Sequence, residues 1–392
     1  MSRLKGSWRW RGVVALTAVA LALVIYPLTE PGADVINSDW PAFATGAKLI
    51  VSDPAHLYDL DAQQRVQLEV TGGRQLVTYG IHGILPFLAP AWVALIAAPF
   101  EALGTELGGR VWILFGLACL ALGLWLATRP RAPAAILPAF ASVPTALFML
   151  NAQLDGIVVL GLGAAVALWS RPYLAGLALG LTLMKPHLVL ALGLGLLLAR
   201  QWRQLAGWAT AGVVLTGAAM LFNPHWILDW LTPLGTPVQP GSREIDIPHF
   251  GTLLPAEFRT DAIAVLTVLT LFGTLVLARR RADDFNAVLA ILIAGGVLAA
   301  PHALPADFVL VAFALALWGK AEWHDWVILS AGAVVAAVTP APVPAIAGLL
   351  VVGWLLVRLV STEARTKTRG ERFGDPGGPD AGEATSSGAS AS

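Results

Sequence analysis

The stretch YLAGLALGLTLMKPHLVLALGLGLLLA, residues 173–199, decides the class of fold, because it holds a single charged side chain, Lys185. An apolar stretch of about 20 residues crosses a bilayer as a helix. The whole chain agrees, since 57% of its 392 residues are hydrophobic and only 13% are charged. Soluble domains have about 25% charged residues. The sequence therefore predicts a polytopic membrane protein, and it excludes a soluble enzyme and a disordered chain.

Similar apolar stretches recur along the chain and predict an all-α polytopic bundle of about twelve transmembrane helices. They cover residues 13–28, 81–100, 111–128, 134–150, 154–170, 205–222, 261–278, 285–300, 304–319, 326–340 and 342–360. The first is interpreted as an uncleaved signal-anchor. Two long polar loops remain, 29–78 and 223–260. We predict a transmembrane domain over residues 1–360 and a disordered cytoplasmic tail over 361–392.

Basic residues predict the orientation, because Lys and Arg concentrate in cytoplasmic connections. The clusters that agree with twelve spans are Arg3 to Arg11, Arg200/Arg203, Arg279–Arg281, Lys320 and the tail. Both termini are then cytoplasmic, both long loops are extracytoplasmic, and the protein is predicted in the cell inner (plasma) membrane. Arg129 and Arg131 disagree, because this path places them outside. Either their loop breaks the rule or one segment between 80 and 170 is re-entrant.

Two classes of partner or cofactor are excluded by simple counts. Lys+Arg and Asp+Glu residues both number 25, so there is no basic excess to bind nucleic acid. Cys119 is the only cysteine, so neither an intrachain disulfide nor a cysteine-based metal cluster can form.

Lys185 is the clearest candidate for a functional residue, because an ionisable group inside a membrane needs a partner or a wet cavity. Pro186 follows it and predicts a kink. The ammonium could meet an anionic headgroup or a buried carboxylate. The alternative is a lysine neutralised in a structural ion pair.

The first polar loop predicts a short interfacial helix over 40–51, because Trp40, Phe43, Ala47 and Ile50 share one face. Asp39 lies at its N-terminus, where a capping role is the structural alternative to a functional one. Asp59 and Asp61 form a DxD pair close to His56, a pattern that more often reflects capping and turns than a metal site.

Two further polar clusters interrupt the apolar pattern. Asn151, Gln153 and Asp155 fall between two predicted spans, on the cytoplasmic side of the twelve-span path, where a plain turn is the alternative. His302 and Asp307 lie at an outer helix junction, on the same side as Asp39. A structural histidine is the alternative for His302.

Together these stretches resemble glycosyltransferase family 87, a branch of the GT-C superfamily of membrane enzymes. Residues 38–59, SDWPAFATGAKLIVSDPAHLYD, are similar to the family's first-loop pattern. Residues 152–203 resemble its Gly-Gln, Ala-Gly and Lys-Pro stretch, with Ala152 in place of the glycine. Residues 301–310, PHALPADFVL, resemble its Pro-His and Asp motif. The family's Tyr-Pro corresponds to Tyr79-Gly80 here.

The resemblance implies a GT-C-like fold and an inverting glycosyltransferase that uses a polyprenyl-phosphate sugar, most often mannose. The acceptor is a hydroxyl of a glycan or glycolipid on the extracytoplasmic face. Asp39 corresponds to the family's general base. Donor-phosphate or substrate-binding roles are expected for Lys185, His302, Asp307, Gln153 and Tyr79. No cofactor and no obligatory metal are expected, because a lipid phosphate leaves without a divalent ion.

Two other functional classes stay open. A secondary transporter would also place charges in the membrane, but it usually shows inverted repeats and paired broken helices. A non-catalytic membrane partner of a glycan assembly complex would not need Asp39.

Overall fold

The computed structural model describes residues 2–74, 85–129, 132–234, 253, 256–340 and 342–373. Within these residues the regular secondary structure is entirely helical. In chain order the α-helices are α1 (Ser2–Thr29), α2 (Gly32–Ile36), α3 (Trp40–Ser52), α4 (Leu60–Val70), α5 (Ala91–Glu101), α6 (Thr105–Thr128), α7 (Ala132–Phe140), α8 (Val143–Leu150), α9 (Asp155–Ala167), α10 (Pro172–Leu179), α11 (Leu190–Leu198), α12 (Trp202–Met220), α13 (Trp226–Leu234), α14 (Ala256–Arg279), α15 (Phe285–Ala299), α16 (Phe308–Trp318), α17 (Trp323–Val338) and α18 (Val343–Phe373). Short 3₁₀ helices cover Pro54–His56, Gly180–Met184, Pro186–Val189 and Pro305–Asp307.

Among the described residues, four helices are long and apolar enough to cross a membrane. They are Arg11–Thr29 within α1, α6, Ala262–Arg279 within α14, and Val343–Ser361 within α18. Only 11% of the first and third of these segments is buried inside the protein. Most of their exposed side chains are apolar, as expected of helices that contact lipid. These helices confirm that the chain is a helical membrane protein. The other apolar helices of the described residues are shorter than the sequence predicts.

The predicted span 81–100 is wrong. Its described helix, α5, has 11 residues, about 16 Å, which is half of the hydrocarbon thickness. Residues 85–90, before α5, are not helical, and two amide side chains of α4 pair with their backbone. Gln63 exchanges hydrogen bonds with Phe87 (3.2 and 2.7 Å), and Gln67 does the same with Leu85 (2.6 and 2.8 Å).

The segments before and after α5 both contact α4, so both flanks of α5 lie at the same end of the bundle, which we call the loop end. The Thr105 hydroxyl, at the start of α6, donates to the Val70 carbonyl at 2.8 Å. The Asn223 side chain, before α13, donates to the Pro54 carbonyl at 3.0 Å, so the first residues of the second polar loop contact the first loop.

The segment 173–199 is two antiparallel helical arms, not one kinked span. The arms are residues 172–184 and 186–198, and Lys185 between them has non-helical angles of −135° and 71°. Proline disfavours a helical conformation of the residue before it, which accounts for the turn. Gly176 in the first arm lies against the Gln204 carbonyl, so the chain returns after α11 to the end where α10 began. We call residues 172–198 the Lys185 hairpin.

The predicted span 134–150 is also interrupted, between α7 and α8. Helix α9 runs parallel to α6, because Gly156 lies against the Gly116 carbonyl and Gly163 against the Gly123 carbonyl. Helices α7 and α8 therefore carry the chain back toward the loop end before α9 begins. Asn151 to Asp155 consequently lie on the same side as Asp39. Their predicted place on the opposite side was wrong.

Charged residues gather at the opposite end, which we call the basic end. Arg281 and Lys320 both contact the Asp284 carboxylate, at 3.1 and 3.0 Å. The Trp169 and Phe285 rings are 4.7 Å apart, so the end of α9 and the start of α15 meet there too. Because α6 starts at the loop end and has 24 residues, about 36 Å, its last residue also lies at the basic end.

The structure changes two predictions, one for the helix of the first polar loop and one for the C-terminal tail. Helix α3 matches the predicted helix 40–51 within one residue, but ten of its 13 residues are buried, so it packs inside the protein instead of lying at the interface. The Phe87 ring occupies the space beside Gly46. Helix α18 continues to Phe373, past the predicted start of the tail at 361, and residues 374–392 lie outside the described residues.

Candidate functional site

Asp39 immediately precedes α3, but its carboxylate does not cap that helix. Ser38 does so instead, since its hydroxyl accepts a hydrogen bond from the Trp40 N–H at 3.2 Å. The Asp39 carboxylate accepts a hydrogen bond from the Gln153 amide. Asp39 is partly exposed, whereas Gln153 is buried. The capping interpretation is therefore not needed for Asp39, and the residue as a whole is partly exposed.

The turn between α8 and α9, residues 151–154, is what brings Gln153 to Asp39. The Asp39 N–H donates to the Asn151 carbonyl at 3.2 Å, so the turn contacts Asp39 through the backbone as well. Close packing of α9 on α6 sets the position of the turn. A Cβ atom at Gly156 would lie 2.1 Å from the Gly116 oxygen, so only glycine allows this approach.

Lys185, at the tip of its hairpin, lies between two buried carboxylates. Its ammonium is 3.0 Å from Asp155 Oδ2 and 2.5 Å from Asp307 Oδ1. The second Asp307 oxygen accepts the Leu304 N–H at 2.6 Å. Asp155 Oδ1 has no hydrogen-bond partner in the described part of the chain. This arrangement is that of the structural ion pair considered from the sequence, and it joins α9, the hairpin and the start of α16.

Two histidines lie beside this ion triad. The ring centroids of His187, which follows Pro186, and of His302 are 6.4 Å apart. His302 is exposed and His187 is partly buried. An imidazole can change its charge near neutral pH. His302 is therefore the more accessible of the two groups that could offer a proton or a positive charge to an anionic ligand.

The environment of Asp39, which lies in the first polar loop outside the membrane-spanning segments, makes it a stronger base than a free aspartate. Burial raises the pKa of the carboxyl to about 6, although Lys185 opposes the shift and Asp307 reinforces it. A carboxylate with a pKa closer to the working pH is better suited to accept a proton. Asp39 thus combines orientation by an amide with raised basicity.

Tyr79 lies outside the described residues. The other polar candidates of the first loop do not join this site. Asp59 of the DxD pair accepts the Ala62 N–H at 2.7 Å and caps α4, and the exposed His56 contacts Asp53 at 2.9 Å. No cluster of three or more metal-ligating side chains exists among the described residues.

Sequence reasoning missed two members of the site. Asp155 was interpreted only as one polar residue of a turn, and His187 was given no role. The signal for Asp155 was available: an acidic residue at the start of one apolar stretch and a lysine within the next must both find partners in the membrane. For His187 there was no comparable signal, because its position opposite His302 depends on the hairpin.

Comparison with known proteins identifies a family for this chain. The family model for glycosyltransferase family 87 matches residues 87–305, which is more than half of the chain. Gln153, Asp155, Lys185 and His302 lie within this range, whereas Asp39 precedes it. No curated protein and no solved structure matches the chain.

Proposed function

The chain belongs to glycosyltransferase family 87, and on this premise we propose that it transfers a sugar, mannose in the first instance, from a polyprenyl-phosphate donor to an acceptor hydroxyl. The acceptor is a glycan or glycolipid, and transfer takes place with inversion on the extracytoplasmic face. The family is one of transferases, and the apolar helices make the protein a membrane glycosyltransferase. This membership favours an enzyme over the transporter and the non-catalytic partner.

Asp39 is the proposed general base. The observation that carries this role is that its carboxylate accepts a hydrogen bond from the Gln153 amide instead of capping α3, in a residue that is partly exposed. As the acceptor oxygen attacks the anomeric carbon, Asp39 takes the hydroxyl proton. The bond between the anomeric carbon and the phosphate oxygen breaks, and polyprenyl phosphate leaves with the electron pair. A positioned base contributes about 10²- to 10⁴-fold to such a reaction.

The donor phosphate needs a positive or hydrogen-bonding partner, because negative charge grows on it as the sugar departs. His302 is proposed for this role, because it is exposed and lies close to the ion triad. Lys185 is bound by two carboxylates, so phosphate would have to compete with them for its ammonium. Gln153 and Asp307 would contribute to the same pocket, and Tyr79 remains a candidate donor contact.

We also propose a revised membrane path with about twelve passes. Helix α5 is re-entrant from the loop end, and the Lys185 hairpin supplies two passes in place of one. This path places the connections at Arg129, Arg171, Arg200, Arg281 and Lys320 together at the basic end. All of them then obey the positive-inside rule. Both termini are cytoplasmic, and Asp39 and Gln153 face the extracytoplasmic side of an inner membrane.

Cysteine labelling distinguishes the two paths. Ser52 is exposed at the loop end, and Ser170 is exposed in the connection between α9 and α10. We expect Ser52→Cys to react with an impermeant maleimide in intact cells, and Ser170→Cys to react only after permeabilisation. The unmodified chain is the background control, because Cys119 is buried. Labelling of Ser170→Cys from outside would contradict the revised path and support the path predicted from the sequence, with residues 171–172 outside.

Turnover tests the proposed reaction directly. The purified protein is incubated with a panel of polyprenyl-phosphate sugars and a glycolipid extract, and the lipid products are read by mass spectrometry. We expect a product one hexose heavier than its acceptor, formed from the polyprenyl-phosphate mannose donor. Transfer from a nucleotide sugar alone, with none from any lipid-linked donor, would contradict the proposed donor class.

A further inference from the structure

Trp112, in α6, lies between the start of α3 and the turn that carries Gln153. Its indole N–H donates to the Ala152 carbonyl at 2.9 Å, and this hydrogen bond is buried. Its ring centroid is 5.7 Å from that of Trp40 and 5.6 Å from that of Phe43. One side chain therefore contacts both of the segments that meet at Asp39.

Ala152 adopts a strained conformation, and this is why its carbonyl needs an anchor. Its φ angle is +50°, in the left-handed region that costs residues with a Cβ atom some energy and that glycine adopts freely. The next residue is Gln153, so any relaxation of Ala152 would redirect the Gln153 amide. The hydrogen bond from Trp112 opposes that relaxation.

We propose that Trp112 is a positioning residue for the Asp39 carboxylate, acting through the Ala152 carbonyl and the Gln153 amide. Trp112 does not contact the reacting groups. It holds the 151–154 turn, whose Gln153 side chain contacts the Asp39 carboxylate. The inference rests on the proposed function, because it assumes that Asp39 accepts a proton. A misplacement of about 1 Å at a reacting group can cost about 10²-fold in rate, so a lost anchor remote from the chemistry has a measurable effect.

The test is Trp112→Phe, which keeps an aromatic ring against Trp40 and Phe43 but removes the N–H. We expect kcat to fall by about 10- to 100-fold with the donor KM unchanged. Trp230→Phe is the matched control, because its N–H also donates to a backbone carbonyl, that of Leu88 at 2.8 Å, away from the turn. It is expected to keep its kcat.

The pH profile gives a second readout that a merely structural role would not move. The Gln153 hydrogen bond lowers the pKa of Asp39, and the charged groups that face Asp39 are Lys185 from the hairpin and Asp307 and His302 from the connection between α15 and α16. These three groups are unchanged in Trp112→Phe. Weakening the Gln153 hydrogen bond should therefore move the acid limb of kcat to higher pH.

Two further variants test the linkage from Trp112 to Asp39 through the Ala152 carbonyl and the Gln153 amide. Gln153→Met removes the amide, and the double variant with Trp112→Phe should be no slower than Gln153→Met alone, because both changes break one linkage. Ala152→Gly, added to Trp112→Phe, should restore part of kcat, because glycine keeps a positive φ without strain. Rescue of this kind would not be seen if Trp112 only filled space.

Several results would overturn the inference: a normal kcat in Trp112→Phe, additive losses in the double variant, or failure of Trp112→Phe to accumulate while Trp230→Phe is normal. The proposed function fails separately. If Asp39→Asn is active, the base is misassigned whatever Trp112 does. If Asp39→Asn is inactive and Trp112→Phe is normal, only the positioning role is lost.

Discussion

Asp39→Asn is expected to lower kcat by about 10²- to 10⁴-fold while leaving donor affinity close to normal. Asparagine has the same shape and can still contact Gln153, but it cannot accept the acceptor's proton. The loss therefore falls on the transition state and not on donor binding. The measurement is steady-state turnover of the purified variant, with donor binding determined separately.

The matched control is Asp59→Asn, in the same loop. Asp59 caps α4 through the Ala62 N–H, and asparagine caps a helix about as well as aspartate, so this variant should keep near-normal turnover. The pH dependence supplies a further check. With the pKa of Asp39 raised to about 6 by burial, the carboxylate is ionised above this value, and kcat should fall as the pH drops below it. Normal turnover by Asp39→Asn would contradict the assignment and make Asp34 the next carboxylate to test.

Lys185→Met is expected to destabilise the protein by about 3–5 kcal/mol, the usual cost of removing one partner of a buried ion pair. Asp155 and Asp307 would be left facing each other without a cation, and Asp155 Oδ1 already lacks a hydrogen-bond partner among the described residues. The measurement is thermal unfolding and the yield of monodisperse protein in detergent. Lys185→Arg should retain part of the stability, because it keeps the charge but changes its geometry.

A surface pair provides the control for this prediction. Lys48 contacts Glu69 at 2.7 Å, with both side chains substantially exposed, and such pairs contribute about 0–1 kcal/mol. Lys48→Met should therefore change stability little. Replacing Asp155 and Asp307 with asparagine should restore the accumulation of Lys185→Met. If Lys185→Met is instead stable and fails to bind donor, the ammonium contacts the phosphate, as the family resemblance implies.

Local features of the chain predicted several elements correctly. The spans near 13–28, 111–128, 261–278 and 342–360 correspond to the four long apolar helices. The α3 helix was located within one residue, and the break at Lys185 was located from its proline. Each of these depends on composition or on interactions between residues close in sequence, and such interactions are readable from a single sequence.

The site required the tertiary structure, although most of its residues were named in advance. Gln153 was predicted on the side of the membrane opposite Asp39, and the structure brings their side chains into contact. On the membrane path that we propose, α5 re-enters from the loop end, so counting it as a span reverses the side of every later loop. Counting the Lys185 hairpin as one span instead of two then restores the original side.

The sequence alone determined that this protein is an all-helical membrane protein, where its long helices lie, and that a lysine interrupts its most apolar stretch. Only the tertiary structure decided that Lys185 turns the chain back and pairs with Asp155 and Asp307, and that Asp39 is held by Gln153. The reason is physical. Hydropathy indicates only that a segment is buried away from water. The largely apolar stretch of 27 residues at 173–199 meets this condition equally well as one helix or as two arms. The choice between them depends on close approaches such as Gly176 to Gln204, which involve residues distant in sequence.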